Sequence, residues 1–157
     1  MAKSNPMPSA SVLDLKAALE QLPSSARLSN ADTEAIYALA HSSVAQGRYE
    51  TAYRYFSLLA LYRPTNVTYL TGLARTYRLM ERYEEALNVY SFLATIDPGE
   101  PEHTLAIAEC LLLQRDLAEA QRTVEMVIRY CKENQVPEKV RSRAEAVSAL
   151  MTGAAAA

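Results

Sequence analysis

Residues 67–100 read VTYLTGLARTYRLMERYEEALNVYSFLATIDPGE, and this stretch has a counterpart of the same length on either side of it. When the chain is written in rows of 34 residues that begin at Thr33, Val67 and Pro101, similar residues fall into columns. The columns are small, bulky or proline in character: Ala40, Ala74 and Ala108; Ala52, Ala86 and Ala120; Tyr49, Tyr83 and Leu117; Phe56, Tyr90 and Val124; Pro64 and Pro98. Columns that stay in register over three rows predict three copies of one structural unit.

The chemistry of the columns predicts that each row is a pair of antiparallel helices. A small residue in each helix lets the two axes approach closely, and the bulky column fills the space between them. Proline at the end of a row stops the second helix and starts the next pair. The predicted helices span residues 12–22, 32–46, 49–62, 66–80, 83–96, 101–114, 117–133 and 137–151.

The predicted organisation is a single repeat domain with additions at both ends. We expect a disordered N-terminus (1–10), an N-terminal helix with a linker (11–30), a repeat domain over 31–151 and a disordered tail (152–157). The domain comprises rows 33–66, 67–100 and 101–134 and a capping helix over 137–151. That helix has an apolar stripe, Val140, Ala144, Val147 and Leu150, backed by the polar residues Lys139, Arg141, Arg143 and Glu145. A solenoid needs such a cap over its last repeat.

Two local features of the repeats give further predictions. The turn inside the first row contains Gly47, whereas the later rows have Glu81 and Arg115 there. We expect those two residues to keep φ negative, because only glycine adopts positive φ without cost. Asn30 or Asp32 is expected to cap the second helix.

Composition excludes several functional classes. The net charge of −2 is too balanced for the basic patch of a nucleic-acid-binding protein. The densest apolar run, Cys110 to Leu113, is far too short to insert in a membrane, and no signal peptide is predicted. The two cysteines, Cys110 and Cys131, are therefore expected to be reduced thiols.

No catalytic or metal-binding arrangement is predicted. The only histidines, His41 and His103, lie in different rows, and the cysteines form no CxxC pair. Phosphate-binding glycine motifs are absent from the sequence. We therefore expect neither an enzyme nor a protein that needs a cofactor or metal.

The 34-residue period and its small, aromatic and proline positions resemble the tetratricopeptide repeat. The resemblance implies an all-α fold in which three hairpins stack into a right-handed superhelix whose concave face is lined by the first helix of each pair. Positions 2, 5, 9 and 12 of each row usually face the groove in this family. Here these positions are Glu34, Tyr37, His41 and Val44; Thr68, Thr71, Arg75 and Arg78; and Glu102, Leu105, Glu109 and Leu112. Such a surface suits an extended peptide.

Nearly the whole chain, about residues 12–150, also resembles the class II chaperones of bacterial type III secretion. The resemblance rests on Tyr37 to Ala40, on Gly47 to Ala52, on Tyr90 to Phe92, and most of all on AECLL (108–112) followed by DLAEA (116–120). It implies a bacterial cytoplasmic chaperone that keeps hydrophobic pore-forming translocators soluble until export. It also implies that groove tyrosines hold a short extended translocator segment, and the matching positions are Tyr37, Tyr49 and Tyr90.

Several interpretations stay open at this point. Tyr49 and Tyr90, like Tyr83, are also suited to core packing. Family members commonly form homodimers through the N-terminal helix, where Val12, Leu15, Leu19 and Leu22 form an apolar stripe; intramolecular packing on the first repeat is the alternative. Other possible functions are a tetratricopeptide chaperone for a needle or export component and a general peptide-binding adaptor.

Overall fold

The computed structural model describes residues 9–23 and 27–155. Eight α-helices follow one another within this part of the chain: α1 (Ala10–Glu20), α2 (Asn30–Ala45), α3 (Tyr49–Tyr62), α4 (Val67–Leu79), α5 (Tyr83–Ile96), α6 (Pro101–Leu113), α7 (Leu117–Glu133) and α8 (Glu138–Ala155). Helices α3, α5 and α7 begin and end at the predicted residues. The predicted all-α fold is confirmed, with α2–α3, α4–α5 and α6–α7 as the three hairpins. None of the helices in the described ranges is long and apolar enough to cross a membrane.

The alanine columns lie where the helices of each hairpin meet. All six alanines, Ala40, Ala52, Ala74, Ala86, Ala108 and Ala120, are 0% exposed. The bulky column is also buried, with Phe56, Tyr90 and Val124 each in the apolar cluster of its own row. Because each cluster also includes residues of the next inner helix, the three rows share one continuous core.

Helix α8 packs over the last repeat through one stripe of its surface. Val140, Ala144, Val147 and Met151 join the cluster of α6 and α7. The prediction that Leu150 completes this stripe is wrong, since Leu150 is 67% exposed. Residues spaced by four, three and four positions share a face, which selects Met151 after Val147.

The C-terminal end of the chain differs from the prediction, and α1 begins at Ala10 instead of residue 12. Helix α8 continues through Ala155, so residues 152–155, which were predicted to be disordered, are helical. In this added turn Thr152 Oγ1 donates a hydrogen bond to the Ala149 carbonyl at 2.9 Å. Residues 156–157 and 1–8 lie outside the described residues, as do residues 24–26 of the predicted linker. Ser9 directly precedes α1.

Helix α2 is capped by a residue that the prediction did not name. The hydroxyl of Ser29 accepts a hydrogen bond from the backbone N–H of Asp32, and the Asp32 carboxylate accepts one from the backbone N–H of Ser29. This reciprocal capping box satisfies two donors that the first turn of a helix leaves unpaired. The side-chain and backbone bonds from Ser29 lower the pKa of Asp32.

The three hairpin turns share one conformation, so the prediction of negative φ at Glu81 and Arg115 is wrong. Their φ angles are 59° and 65°, beside 70° at Gly47. In each turn the next residue donates a backbone hydrogen bond across the helix end, as Arg82 does to the Tyr77 carbonyl at 2.9 Å. This closure requires a left-handed residue in the turn, whatever its side chain.

Glu81→Gly is expected to raise the free energy of unfolding by about 0.5–1 kcal/mol, because glycine adopts the observed φ without a Cβ penalty. Urea denaturation followed by circular dichroism measures the change. Glu84→Gly is the control, since Glu84 lies in the first turn of α5 with ordinary helical geometry. There glycine is expected to destabilise the protein by about 1 kcal/mol. Equal losses in both variants would contradict the strain at Glu81.

Helix α1 packs against α5 of the second repeat and also contacts the end of the first row. Val12 contacts the apolar cluster of the second row, and Thr65 Oγ1 donates a hydrogen bond to Glu20 Oε1 at 2.8 Å. Leu15 and Leu22 are half-exposed. Val12 therefore makes an intramolecular contact. The predicted dimerisation stripe stays a prediction, for which Leu15 and Leu22 are the accessible members.

Candidate binding groove

The inner helices α2, α4, α6 and α8 line one open groove of about 810 Å³. Eight of the predicted groove residues line it together: Tyr37, His41, Thr68, Thr71, Arg75, Arg78, Tyr90 and Glu102. Seven come from inner helices, as the repeat pattern predicts. Tyr90 comes from the outer helix α5. Tyr90 belongs to the apolar cluster of the second row and also forms part of the groove wall. It is therefore both a core-packing residue and a groove residue.

Aromatic rings form the first-repeat end of the groove. The ring of Tyr37 lies 4.5 Å from that of His41, 5.4 Å from that of Tyr69 and 6.1 Å from that of Phe56, measured between centroids. The edge-to-face arrangement of Tyr37 with His41 and Phe56 is a favourable one for aromatic pairs. This end therefore offers a preformed apolar and polarisable surface.

Gly72 makes the close packing beneath these rings possible. A Cβ built on Gly72 would lie 2.2 Å from Cε1 of Phe56, far inside van der Waals contact. Helix α4 can therefore approach the Phe56 ring only because residue 72 has no side chain. Gly72 itself lines the groove.

An ion-pair network forms the other end. Glu109 on α6 accepts hydrogen bonds from Arg143 on α8, with Nε–Oε1 and Nη2–Oε2 distances of 2.6 Å each. Arg78 on α4 places its Nη1 2.8 Å from Glu109 Oε2. The Glu109 side chain is only 12% exposed. Because three inner helices meet at one carboxylate, the network fixes their spacing at this end of the groove.

The surroundings shift the ionisation of two groove residues. Burial is the largest influence on Tyr90 and raises its pKa, against the nearby positive charge and hydrogen bond of Arg78. Burial alone would lower the pKa of Arg78, but Glu109 and Tyr90 offset it and the pKa is raised. Arg78 is thus a permanent cation, and Tyr90 stays neutral at physiological pH.

Six predicted groove residues do not line the groove: Glu34, Val44, Tyr49, Leu105, Glu109 and Leu112. Leu105 is 0% exposed and belongs to the cluster of α6, α7 and α8, so its prediction as a groove residue is wrong. Leu112 packs against that cluster, and Val44 packs against the apolar cluster of the first row. Tyr49 is half-buried at the start of the outer helix α3. Glu109 does not line the cavity itself, but it holds two arginines that do.

The sequence prediction missed Lys139 and Arg143, which line the groove from the capping helix. The sequence pattern places both residues on the polar face that backs the apolar stripe of the capping helix. Arg143 stands 34 residues after Glu109, so it occupies position 9 of a fourth row. Extending the repeat register by one row would have found it. The interaction of His103 Nε2 with Asp97 Oδ2, at 3.3 Å in the wall of the groove, has no such signal in the sequence.

The described residues contain no group of three or more His, Cys, Asp or Glu side chains placed to hold a metal ion. Both cysteines are free and buried. Burial raises the pKa of the Cys110 thiol to about 11, against the nearby charge of Arg78, so the unreactive protonated form dominates at neutral pH.

Known protein families match the repeat domain of this chain. Two tetratricopeptide-repeat families match, one over residues 33–66 and the other over residues 77–130. PcrH of Pseudomonas aeruginosa is 28% identical, with a TM-score of 0.71 over 80% of this chain and 95% of that one. The type III secretion translocator chaperone SycD of Yersinia enterocolitica superimposes with a TM-score of 0.72 over 83% of this chain and 90% of that one, at 24% identity.

The chain is built of tetratricopeptide repeats and is similar to the translocator chaperones of type III secretion. Among curated relatives, low calcium response locus protein H of Yersinia pestis is 33% identical over 94 residues, 60% of this chain. The match spans 56% of that relative's length. The chaperone SicA of Salmonella typhimurium is 28% identical over 71% of this chain and 65% of its own length.

Proposed function

We propose that this protein is a chaperone for hydrophobic pore-forming translocators of a bacterial type III secretion system. The observation that supports it most directly is the groove, which lies in a fold that has been solved with bound translocator segments. SycD has been solved with a peptide of the translocator YopD, and PcrH with the chaperone-binding region of PopD. The protein would act in the bacterial cytoplasm by binding alone, without a catalysed reaction or a cofactor.

The proposed mechanism is sequestration of an aggregation-prone partner. An extended translocator segment lies across the inner helices, with apolar side chains against the ring cluster of Tyr37, His41 and Tyr69. Removing that apolar surface from water contributes about 25 cal/mol per Å² buried. Because the chaperone binds the translocator before it aggregates or inserts in a membrane, the free population falls by mass action.

Co-expression tests this function. Each translocator of the source bacterium is produced with and without the chaperone, and its soluble fraction and co-purification are measured. The proposal expects a soluble complex with at least one translocator. Co-purification of a needle or export component instead would favour the alternative chaperone role. Capture only of peptides unrelated to secretion would favour a general adaptor.

Tyr37→Ala is expected to weaken translocator binding about thirtyfold, or about 2 kcal/mol, because aromatic anchors dominate such interfaces. Isothermal titration calorimetry measures the affinity, and the melting midpoint checks that the chain stays folded. Tyr83→Ala is the control, since Tyr83 begins α5 and does not line the groove. Equal loss of affinity in both variants would contradict a groove role for Tyr37.

A further inference from the structure

The charges of the groove are divided between its two edges. Asp97, Glu100 and Glu102 line it where α5 leads into α6. Arg75 and Arg78 line it from the C-terminal half of α4. Glu109, which holds Arg78, lies seven residues after Glu102 on α6, or about 10 Å along the helix axis. One edge is therefore acidic and the other basic.

The basic edge carries more positive charge than its own carboxylate neutralises. Arg78 and Arg143 share Glu109, so this cluster alone has an excess of one positive charge. Arg75 lies one turn before Arg78 on the same face of α4 and, in the part of the chain that the structure describes, forms no salt bridge. Both arginines lie near enough to Tyr90 for their charges to act on its hydroxyl. Three permanent cations thus face one carboxylate.

The existing network leaves donors for a ligand. Guanidinium groups have five N–H donors; Arg143 donates two hydrogen bonds to Glu109, and Arg78 places only one of its nitrogens at ion-pair distance from it. The planar fork matches a carboxylate with two parallel hydrogen bonds. The side chain of Arg78 is 25% exposed, so a charge bound there is less screened than one on an open surface.

We propose that the segment held in the groove presents an acidic side chain to the edge formed by Arg75, Arg78 and Arg143. The inference rests on the proposed function and adds a recognition element to it, since apolar contacts alone do not fix the register of an extended segment. A single carboxylate fits better than a polyanion, because the opposite edge of the same groove is acidic.

Synthetic peptides test the proposal. Overlapping fifteen-residue peptides from the co-purifying translocator are labelled with fluorescein, and anisotropy identifies the one that binds the full-length chaperone. Each of its acidic residues is then replaced by the matching amide. Arg75→Gln is the preferred chaperone variant because it leaves the Glu109 network intact. Arg54→Gln is its control, since Arg54 lies exposed on α3 and pairs only loosely with Glu50.

We expect one acid-to-amide replacement to weaken binding about tenfold in the wild-type chaperone and in Arg54→Gln. The same replacement is expected to have less than a threefold effect in Arg75→Gln, because its partner is already gone. A binding peptide without an acidic residue, or one whose replacements have the same effect in all three proteins, overturns the carboxylate site while the chaperone function stands. Failure of every translocator to co-purify overturns both.

Discussion

Leu105→Ala is expected to lower the free energy of unfolding by about 3 kcal/mol, because it removes a fully buried side chain and leaves a cavity. Leu105 packs in the cluster that joins α6 and α7 to the capping helix, including Val140 and Ala144. The loss is expected to weaken the attachment of α8 as well as the third hairpin. Urea denaturation followed by circular dichroism at 222 nm measures the change in stability.

Leu113→Ala is the matched control on the same helix. Leu113 is half-exposed and lines the groove, so its removal is expected to cost less than about 1 kcal/mol of stability. The two variants distinguish a core residue from a groove residue. Leu105→Ala is expected to lower the free energy of unfolding, whereas Leu113→Ala is expected to lower the affinity for the partner. If Leu105→Ala unfolds at the wild-type urea concentration, the placement of Leu105 in the core is wrong.

The repeat architecture could be predicted because it depends on spacing alone. A small residue where two helix axes approach leaves a periodic signal in the sequence, and the buried alanines follow it in all three rows. The bounds of α3, α5 and α7 followed from the same register. The predicted groove at Tyr37, His41 and Arg75 depended on that register too.

The hairpin turns could not be predicted from residue preference. Glutamate and arginine avoid positive φ, yet Glu81 and Arg115 adopt it. The backbone closure is shared by all three rows, with Asp116 N–H donating to the Leu111 carbonyl at 3.0 Å as Arg82 does to Tyr77. Packing of the two helices of each hairpin fixes the positive φ of the turn residue. Glu81 and Arg115 therefore adopt this φ although it is strained for a residue with a side chain.

The charged end of the groove could not be predicted without the position of the last helix. Ser142 follows Ala108 by 34 residues, so the alanine column stops before α8 and hides the continued register. Ser142 is exposed, and a small residue is not required there. Arg143 nonetheless occupies the inner position, where it binds Glu109. The capping helix therefore both covers the core and completes the groove.

Gly72→Ala is expected to lower the free energy of unfolding by about 3 kcal/mol, at the upper end of the cost of overpacking. The new methyl group would fall 2.2 Å from Cε1 and 2.5 Å from Cζ of Phe56. The ring cannot withdraw easily, because it is buried and lies 5.8 Å from the His41 ring and 6.1 Å from the Tyr37 ring. The clash is therefore expected to displace the ring cluster and weaken partner binding too.

Gly153→Ala is the control for the substitution itself. Gly153 lies in α8 with open space around its Cα, so alanine there is expected to stabilise the protein by up to about 1 kcal/mol. The opposite signs of the two changes would assign the loss at Gly72 to contact with Phe56. Thermal and urea denaturation of both variants measure the stabilities.

A double variant locates the clash. In the Gly72→Ala background, Phe56→Leu removes the ring that the new methyl group meets. We expect the double variant to lose clearly less stability than the sum of the two single losses, because residues in contact are not additive. Strict additivity, or a stability of Gly72→Ala above that of the wild type, would show that α4 does not approach Phe56 as closely as the structure places it.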